Sequence, residues 1–485
     1  MRRLTAVLAL AAVAAPACTD GGRSAAPSPS VTTVAPSTVA PSSPSPSPSA
    51  TPSATPSPSA SGAPCATTYA APDPARPVVS LSFVVADTKA TVTGTERVTF
   101  TPDLPTDRVV FRLWANAPNP RRYGGSSRVT RLAVDGKAVT FTASRDGTGV
   151  QAPLGRTAGP GTPLTVDLAF ELTLPSGANE RLGHRGGLAW FGSGFPLLAW
   201  ERGRGWATEP ATAAFAEAAT SETFRLADLA VDTAPGDVVL ATGSAGRTAG
   251  RVRHRSAEAV RDVVVAVGPF RTATADVGGV PVTVGVAPGL PDDPGRLVGL
   301  HRAAIGGVSR RFGPFPYASL DVAVVPDLDG GVEFPAAILL GTRQDRDATL
   351  VHEVAHEWFY GLVGDNQARD PWLDEAFATY AEALVRGTAG RYLSASVPSA
   401  GRNRVGAPMT YWEPRTSIYY RSVYVQGAAA LLRARSVAGA AAWDRAMRCY
   451  VAANAHRVAT PKDVQRAFAA FPGALTVLRA KGAVP

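Results

Sequence analysis

The sequence predicts an α+β fold, in which an all-β region is followed by a region where strands give way to helices. The first observation is a series of short β-prone runs between residues 69 and 273, bounded by Gly, Pro and Asp. Such runs, with frequent turn signals between them, are typical of a β-sandwich or a curved, saddle-like sheet. The second observation is a change near residue 274, after which strands are interleaved with helical patterns, as in an α+β domain.

Length and composition limit the number of domains and the classes of partner. A chain of 485 residues with 45% hydrophobic residues is long enough for two or three domains with substantial cores. The formal net charge of +9 is spread along the chain, without a run of Lys and Arg. We therefore expect no nucleic-acid partner.

The N-terminus is typical of an exported protein. Two arginines precede an apolar stretch over residues 4–15, which has the length of a signal peptide rather than of a transmembrane helix. Small residues then lead to Cys18 in a pattern that resembles the lipobox of bacterial lipoproteins, except that Ala15 stands where Leu is usual. We expect a signal peptide over residues 1–17 and a lipid on Cys18 that holds the protein at the cell surface. Plain secretion is the alternative.

A segment rich in Pro, Ser, Thr and Ala follows, and because it has nothing to bury we expect residues 18–64 to form an extended tether. No later segment is apolar for long enough to span a bilayer, so the expected membrane contact is the lipid alone. Export favours a disulfide between Cys65 and Cys449, with two unpaired thiols as the alternative. We expect a monomer.

Two domains are predicted beyond the tether, a β domain over residues 65–273 and a second domain over residues 274–485. The predicted strands include residues 90–94, 164–170, 238–242, 263–267, 282–286 and 320–325, and the predicted helices cover residues 349–360, 373–386, 423–437 and 440–453. No group of His, Cys or carboxylate residues in the β domain has the spacing of a site, so we interpret that domain as a scaffold.

The chemistry is predicted on the helix over residues 349–360, which contains the motif H-E-x-x-H from His352 to His356. Positions i and i+4 of a helix lie on one face, so both imidazoles can bind one metal ion. Glu353 points beside that ion, where it can take a proton from water. Only six histidines occur in the chain and two of them lie in this motif, which argues against two chance surface histidines.

A catalytic zinc site needs three protein ligands and one open position. Glu375 can supply the third ligand, because eighteen residues separate it from His356 and leave room for a loop and a second helix starting near Pro371. We therefore predict one Zn²⁺ bound by His352, His356 and Glu375.

These segments resemble the M1 aminopeptidases, a branch of the gluzincins. Three further segments match the family in the same order: Gly330 to Phe334 resembles its G-x-M-E-N motif, Trp372 to Ala378 its W-L-N/D-E-G-F-A segment, and Tyr424 to Ala428 its Y-x-K-G-A segment. The resemblance runs from about residue 69 to the C-terminus. It implies a thermolysin-like zincin catalytic domain over residues 274–485 and a zinc aminopeptidase that acts on peptides.

The resemblance also implies roles for individual residues. Glu353 would be the general base, and Tyr424 would donate its hydroxyl to the developing oxyanion. Tyr419 and Tyr420 are close rivals for that second role. A further carboxylate, Glu382, could accept the other N–H of a ligand imidazole.

Substrate binding is expected at the upstream motif. Glu333 would pair with a free α-ammonium, so that cleavage starts from the N-terminus, and an ordinary turn carboxylate is the alternative. Gly330 and Gly331 would let the backbone lie close to an extended peptide.

Two departures from the family pattern keep other functions open. Val332 and Phe334 replace the Met and Asn of the motif, and about sixty residues follow Tyr424, too few for the helical domain that caps the cleft of larger M1 enzymes. A zinc endopeptidase or oligopeptidase without an N-terminal requirement is one alternative, and a non-catalytic surface lipoprotein that binds ligands is another.

Overall fold

The structure is a computed structural model that describes residues 68–177, 181–209, 211–212, 222–342 and 346–485. The predicted signal peptide, the tether and Cys65 lie outside these residues. Cys449 is disulfide-bonded, while its pairing with Cys65 stays a prediction. Among the described helices none has both the length and the apolar character needed to cross a bilayer.

The strands lie mostly in the first half of the chain. They are β1 (Val78–Val85), β2 (Thr91–Phe100), β3 (Thr106–Arg112), β4 (Ser126–Val134), β5 (Lys137–Ala138), β6 (Thr142–Ala143), β7 (Gly149–Ala158), β8 (Leu164–Thr173), β9 (Leu182–Arg185), β10 (Leu188–Gly192), β11 (Leu197–Leu198), β12 (Trp200–Glu201), β13 (Gly205–Trp206), β14 (Phe224–Asp232), β15 (Val238–Ala241), β16 (Ser244–Ala249), β17 (Val252–Val260), β18 (Val264–Gly268), β19 (Arg271–Val277), β20 (Val280–Val286), β21 (Leu320–Val324), β22 (Gly331–Phe334) and β23 (Ala337–Leu340).

The helices are α1 (Pro118–Arg122), α2 (Pro294–Phe312), α3 (Arg346–His356), α4 (Trp372–Arg386), α5 (Ala389–Leu393), α6 (Met409–Trp412), α7 (Thr416–Tyr420), α8 (Gln426–Ala438), α9 (Ala440–Asn454), α10 (Pro461–Ala467) and α11 (Pro472–Ala480). Short 3₁₀ turns cover Trp114–Asn116, Ser399–Gly401 and Glu413–Arg415, and a π-helical turn covers Arg421–Val425.

The first half of the chain is built from sheets that share one apolar core. An eight-stranded sheet has the order β16-β17-β14-β1-β2-β8-β4-β5, and two four-stranded sheets have the orders β15-β18-β10-β9 and β11-β3-β7-β6. Strand β2 alternates exposed and buried residues along its whole length. This period of two means that one face of the large sheet lies on the core and the other faces solvent.

The strands β10 and β18 are instead buried on both faces. Val265 of β18 lies in the core of the β region, while its neighbours Val264 and Ala266 pack against β21 to β23 of the second half. A strand covered on both sides needs apolar residues at every position, which explains the continuous apolar run predicted as a strand near residues 263–267.

The second half begins with a five-stranded mixed sheet of order β19-β20-β21-β23-β22. Strands β20, β21 and β23 are parallel, and β22 pairs antiparallel with β23 at the edge. Helices α2 and α3 pack together over this sheet, and α3 also packs against β22. The edge strand β22 therefore lies beside the helix that carries the H-E-x-x-H motif.

The described residues from 68 to 485 belong to one compact unit. Strand β19 spans the expected boundary between residues 273 and 274, so the division into domains of residues 65–273 and 274–485 stays a prediction. The order of a β region followed by mixed and then helical structure is the one that the sequence predicts.

Three predicted helix bounds are off by three residues or more, and one of them is the start of α3, which lies at Arg346 and not at residue 349. The helix expected to reach residue 360 ends at His356, because the chain turns there and Tyr360 adopts a positive φ of 112°. The helix expected to start at residue 423 starts at Gln426, because Arg421–Val425 forms the wider π turn.

Candidate metal centre and active site

The two motif histidines lie one turn apart at the C-terminal end of α3. Their Nε2 atoms face each other at 3.0 Å. His356 is fully buried and its Nδ1 lies 3.0 Å from the carbonyl oxygen of Phe359. That contact exists because the chain turns after His356, and it directs Nε2 towards the partner imidazole.

Glu375 reaches the same point from the first turn of α4. Its Oε2 lies 3.2 Å from Nε2 of His352 and 3.4 Å from Nε2 of His356. Ligands about 2.0–2.1 Å from a tetrahedral zinc ion are about 3.3 Å apart. The three atoms, all within 4.8 Å of one another, are therefore spaced as three ligands of one tetrahedral zinc ion would be.

The charges around this triangle suit a cation. Burial alone would raise the pKa of Glu375, but hydrogen bonds to His352 and His356 bring it down to about 2. A lowered pKa favours the ionised form of this candidate ligand, which is the form that binds a metal ion. On the far side of His352, Oε2 of Glu382 lies 3.9 Å from Nδ1, so the carboxylate that the sequence suggested lies behind this ligand.

Glu353 lies beside the triangle, on the same helix as the histidines. Its side chain is buried, and its Oε2 has no hydrogen-bond partner in the part of the chain that the structure describes. Burial raises the pKa of Glu353 to about 7, although His352 and His356 act to lower it. A carboxylate with a pKa near neutrality can both accept and return a proton.

Of the three candidate tyrosines, Tyr424 is the one that contacts the candidate metal ligands. Its hydroxyl donates to Oε1 of Glu375 at 2.5 Å, and its ring stacks on His352 with centroids 5.8 Å apart. The rival Tyr419 is buried against Trp412, and Tyr420 lies at the surface. Tyr424 lies in the π turn, a distortion that is frequent at functional sites because it re-aims one side chain.

Glu333 lies on the edge strand β22 and faces the same space. One of its carboxylate oxygens lies within 4.8 Å of both a Glu353 oxygen and a His356 ring nitrogen. Whether the two preceding glycines let a peptide lie close to the backbone stays a prediction. Gly330 has a positive φ of 121°, whereas Gly331 lies where a Cβ would be 2.4 Å from Cγ of Glu353. Gly331 therefore makes room for the candidate base, a contact that the sequence did not suggest.

Two polar neighbours of Glu333 were missed by the sequence analysis. Arg181 donates from Nη2 to Oε1 of Glu333 at 3.3 Å, and Gln367 donates from Nε2 to the same oxygen at 3.2 Å. Gln367 also donates to Asp374 at 3.0 Å. Gln367 precedes the second helix and could have been suspected from its position between the two ligand segments, but Arg181 carries no motif.

Part of the second half of the chain is similar to known sequences. Residues 335–477 match the profile described as the peptidase family M1 domain. Over 88 residues the chain is 33% identical to aminopeptidase N of Streptomyces lividans, a match to 16% of this chain and 10% of that protein. Over 182 residues it is 25% identical to aminopeptidase M1-A of Oryza sativa subsp. japonica, a match to 31% of this chain and 20% of that protein. The chain thus aligns with a tenth to a fifth of these relatives, and the resemblance to the M1 family is confirmed over residues 335–477.

Solved structures match over a larger part of the chain. An M1 zinc metallopeptidase from Deinococcus radiodurans superposes with a TM-score of 0.61 and 21% identity, over 84% of this chain and 92% of that one. A mutant of the Deinococcus radiodurans enzyme with bound Tyr-Ser-Ala substrate gives a TM-score of 0.62 and 21% identity, over 86% and 97% of the two chains. A likeness at this identity shows the fold, and it confirms the predicted α+β class with its N-terminal β region.

Proposed function

We propose, from the peptidase family M1 domain at residues 335–477, that the protein is a zinc metallopeptidase that releases N-terminal residues from peptides. The observation that carries this proposal is the triangle of His352, His356 and Glu375. Three donor atoms from two helices lie at distances that fit one zinc ion with an open position.

The residues present suit zinc chemistry. When bound, zinc supplies a Lewis acid that makes a water acidic enough to attack at neutral pH and polarises the scissile carbonyl. Glu353 accepts the proton of the attacking water and then delivers it to the leaving amine. Its burial and its pKa of about 7 suit both steps.

Tyr424 stabilises the negative charge that develops on the carbonyl oxygen. Its hydroxyl lies 2.5 Å from Oε1 of Glu375, so a hydrogen-bond donor stands beside the residues that would hold the metal. A donor held in place before the reaction stabilises the transition state without reorganisation.

Glu333 favours the aminopeptidase hypothesis over an endopeptidase or oligopeptidase. Its carboxylate lies near Glu353 and His356, where it can bind the α-ammonium of a peptide whose first peptide bond lies at the metal. Because an ion pair at this place requires a free N-terminus, the enzyme would cut after the first residue.

The test uses the purified full-length protein. Removal of metal with a chelator should abolish peptide hydrolysis, and Zn²⁺ should restore it. Glu353→Gln should bind zinc normally but lose activity by about a hundredfold or more. Hydrolysis that survives both chelation and this substitution would contradict the proposal.

A zinc endopeptidase or oligopeptidase without an N-terminal requirement is a second candidate. It is favoured by the two donors that Glu333 already has, Arg181 and Gln367. Equal cleavage of a peptide with a free or an acetylated N-terminus would support this second function. Absence of any hydrolysis by the zinc-loaded protein would support a non-catalytic binding role.

We also propose that the protein is exported and anchored to the bacterial cell surface as a monomer. The charged and apolar N-terminal segment and the lipobox-like residues before Cys18 support export and anchoring, with residues 18–64 as the tether. A disulfide from Cys65 to Cys449 would lie in the same oxidising environment. Incorporation of labelled palmitate that is lost in Cys18→Ala would test the anchor, and secretion into the medium would contradict it.

A further inference from the structure

Arg181 is a buried cation next to the proposed substrate site. Its side chain is 2% exposed. The guanidinium lies over the rings of Trp114 and Phe334, with its central carbon 5.6 Å and 5.3 Å from the two ring centroids. This packing holds the charge in place, because a guanidinium stacks on aromatic faces and loses few rotamers when it is fixed there.

The guanidinium is directed at Glu333. Nη2 of Arg181 lies 3.3 Å from Oε1 of Glu333, and Gln367 binds the same oxygen at 3.2 Å. Asp262, an acid whose charge also interacts with Arg181, is hydrogen-bonded by Ser193 at 2.5 Å and by Tyr360 at 3.4 Å. Arg181 thus interacts with two acids, and it donates a hydrogen bond to Oε1 of Glu333. Oε2 of Glu333 has no donor among the described residues.

We propose that Arg181 is a specificity-determining residue that weakens the enzyme's dependence on a free substrate N-terminus. This inference rests on the proposed function, since it assumes that Glu333 binds the α-ammonium. An ammonium on Oε2 and the guanidinium on Oε1 are like charges on one carboxylate, and their repulsion in a buried site offsets part of the attraction to Glu333. A peptide with a neutral N-terminus does not meet this repulsion.

The test distinguishes this role from the opposite one. Arg181 and Gln367 could hold the carboxylate in the one orientation that receives an ammonium, and Arg181 would then strengthen the preference. The two roles predict opposite changes when the charge is removed, so one measurement separates them.

The measurement is the ratio of kcat/KM for a tripeptide amide with a free N-terminus to that for its N-acetylated form. Arg181→Met removes the charge but keeps an unbranched side chain between the two rings. We expect the ratio to rise at least about tenfold. The matched control, Arg181→Lys, loses the stacking of the guanidinium but keeps the positive charge, so its ratio should stay within about threefold of the wild-type ratio.

A second pair of variants avoids leaving a buried carboxylate without its partner, which can unfold a protein. Glu333→Gln keeps the shape of the side chain but leaves Arg181 facing the substrate, so the ratio should fall below one. Adding Arg181→Met to Glu333→Gln leaves both groups neutral, and the ratio should rise at least about tenfold from that of Glu333→Gln alone. Thermal melting checks that each variant is folded.

The inference is overturned if loss of Arg181 lowers the ratio, which would assign it the positioning role, or leaves it within about twofold in the folded variants. These results would not affect the proposed function as long as the wild type shows zinc-dependent hydrolysis and prefers a free N-terminus. A wild type without zinc-dependent hydrolysis would remove the proposed function itself.

Discussion

Gly331 offers a test of how closely the candidate base is positioned. The residue lies at the start of the edge strand β22, and a Cβ added there would be 2.4 Å from Cγ, 2.5 Å from Cδ and 2.6 Å from Oε1 of Glu353. Its φ is not in the left-handed region, so alanine can adopt the backbone conformation. The substitution Gly331→Ala therefore acts on Glu353 and not on the local backbone.

The size of the effect follows from these distances. Non-bonded carbon atoms rest at about 3.5–4.0 Å, so the Glu353 carboxylate must move by about 1 Å. A displacement of that size costs about a hundredfold in rate, or about 2.7 kcal/mol in the activation free energy. We expect kcat of Gly331→Ala to fall by this factor, with the three zinc ligands unchanged.

The assay is steady-state hydrolysis of a short peptide, together with the zinc content of each protein. Gly299→Ala is the matched control, because Gly299 lies exposed in α2 and a Cβ there meets no atom within 4 Å. That control should keep full activity and gain about 0.5–1 kcal/mol of stability. Wild-type kcat in a folded, zinc-loaded Gly331→Ala would refute the assigned position of the base.

Three further predictions concern other residues. Tyr424→Phe should lower kcat by about 10²–10³-fold, whereas Tyr420→Phe at the surface should leave it unchanged. Because Glu382 lies 3.9 Å from Nδ1 of His352, Glu382→Ala should weaken zinc binding by about 10–100-fold, measured in competition with a chelator. An unchanged zinc affinity would show that Glu382 does not support the His352 imidazole. Burial lowers the pKa of His301 to about 4 from 6.5, so its stabilising contribution is present above pH 6.5 and is lost as the pH falls towards 4. Between pH 7 and pH 4 the free energy of unfolding of His301→Leu, measured with urea, should therefore fall by about 3 kcal/mol less than that of the wild type. An equal fall in both proteins would contradict the lowered pKa of His301.

That the three candidate zinc ligands come together could be predicted because their arrangement is local. His352 and His356 share one helix face, and Glu375 lies on the next helix, so spacing alone brings them together. The alternation in β2 and the apolar run in β18 predicted strands for the same reason, since each pattern reports which faces of the strand are covered.

The contacts between distant segments could not be predicted in this way. Arg181 and Glu333 are 152 positions apart, and they meet only because β10 and β18 pack against the second half of the chain. The end of α3 was also missed, because the positive φ of Tyr360 depends on how the following loop packs. Helix propensity does not report such tertiary contacts.

The central claim is that His352, His356 and Glu375 bind one zinc ion. Anomalous X-ray diffraction at the zinc absorption edge, on crystals of the full-length protein, tests it most directly. We expect one peak within about 2.0–2.2 Å of Nε2 of both histidines and of a Glu375 oxygen. A zinc-saturated crystal with no peak at this position, or with its peak at other residues, would contradict it.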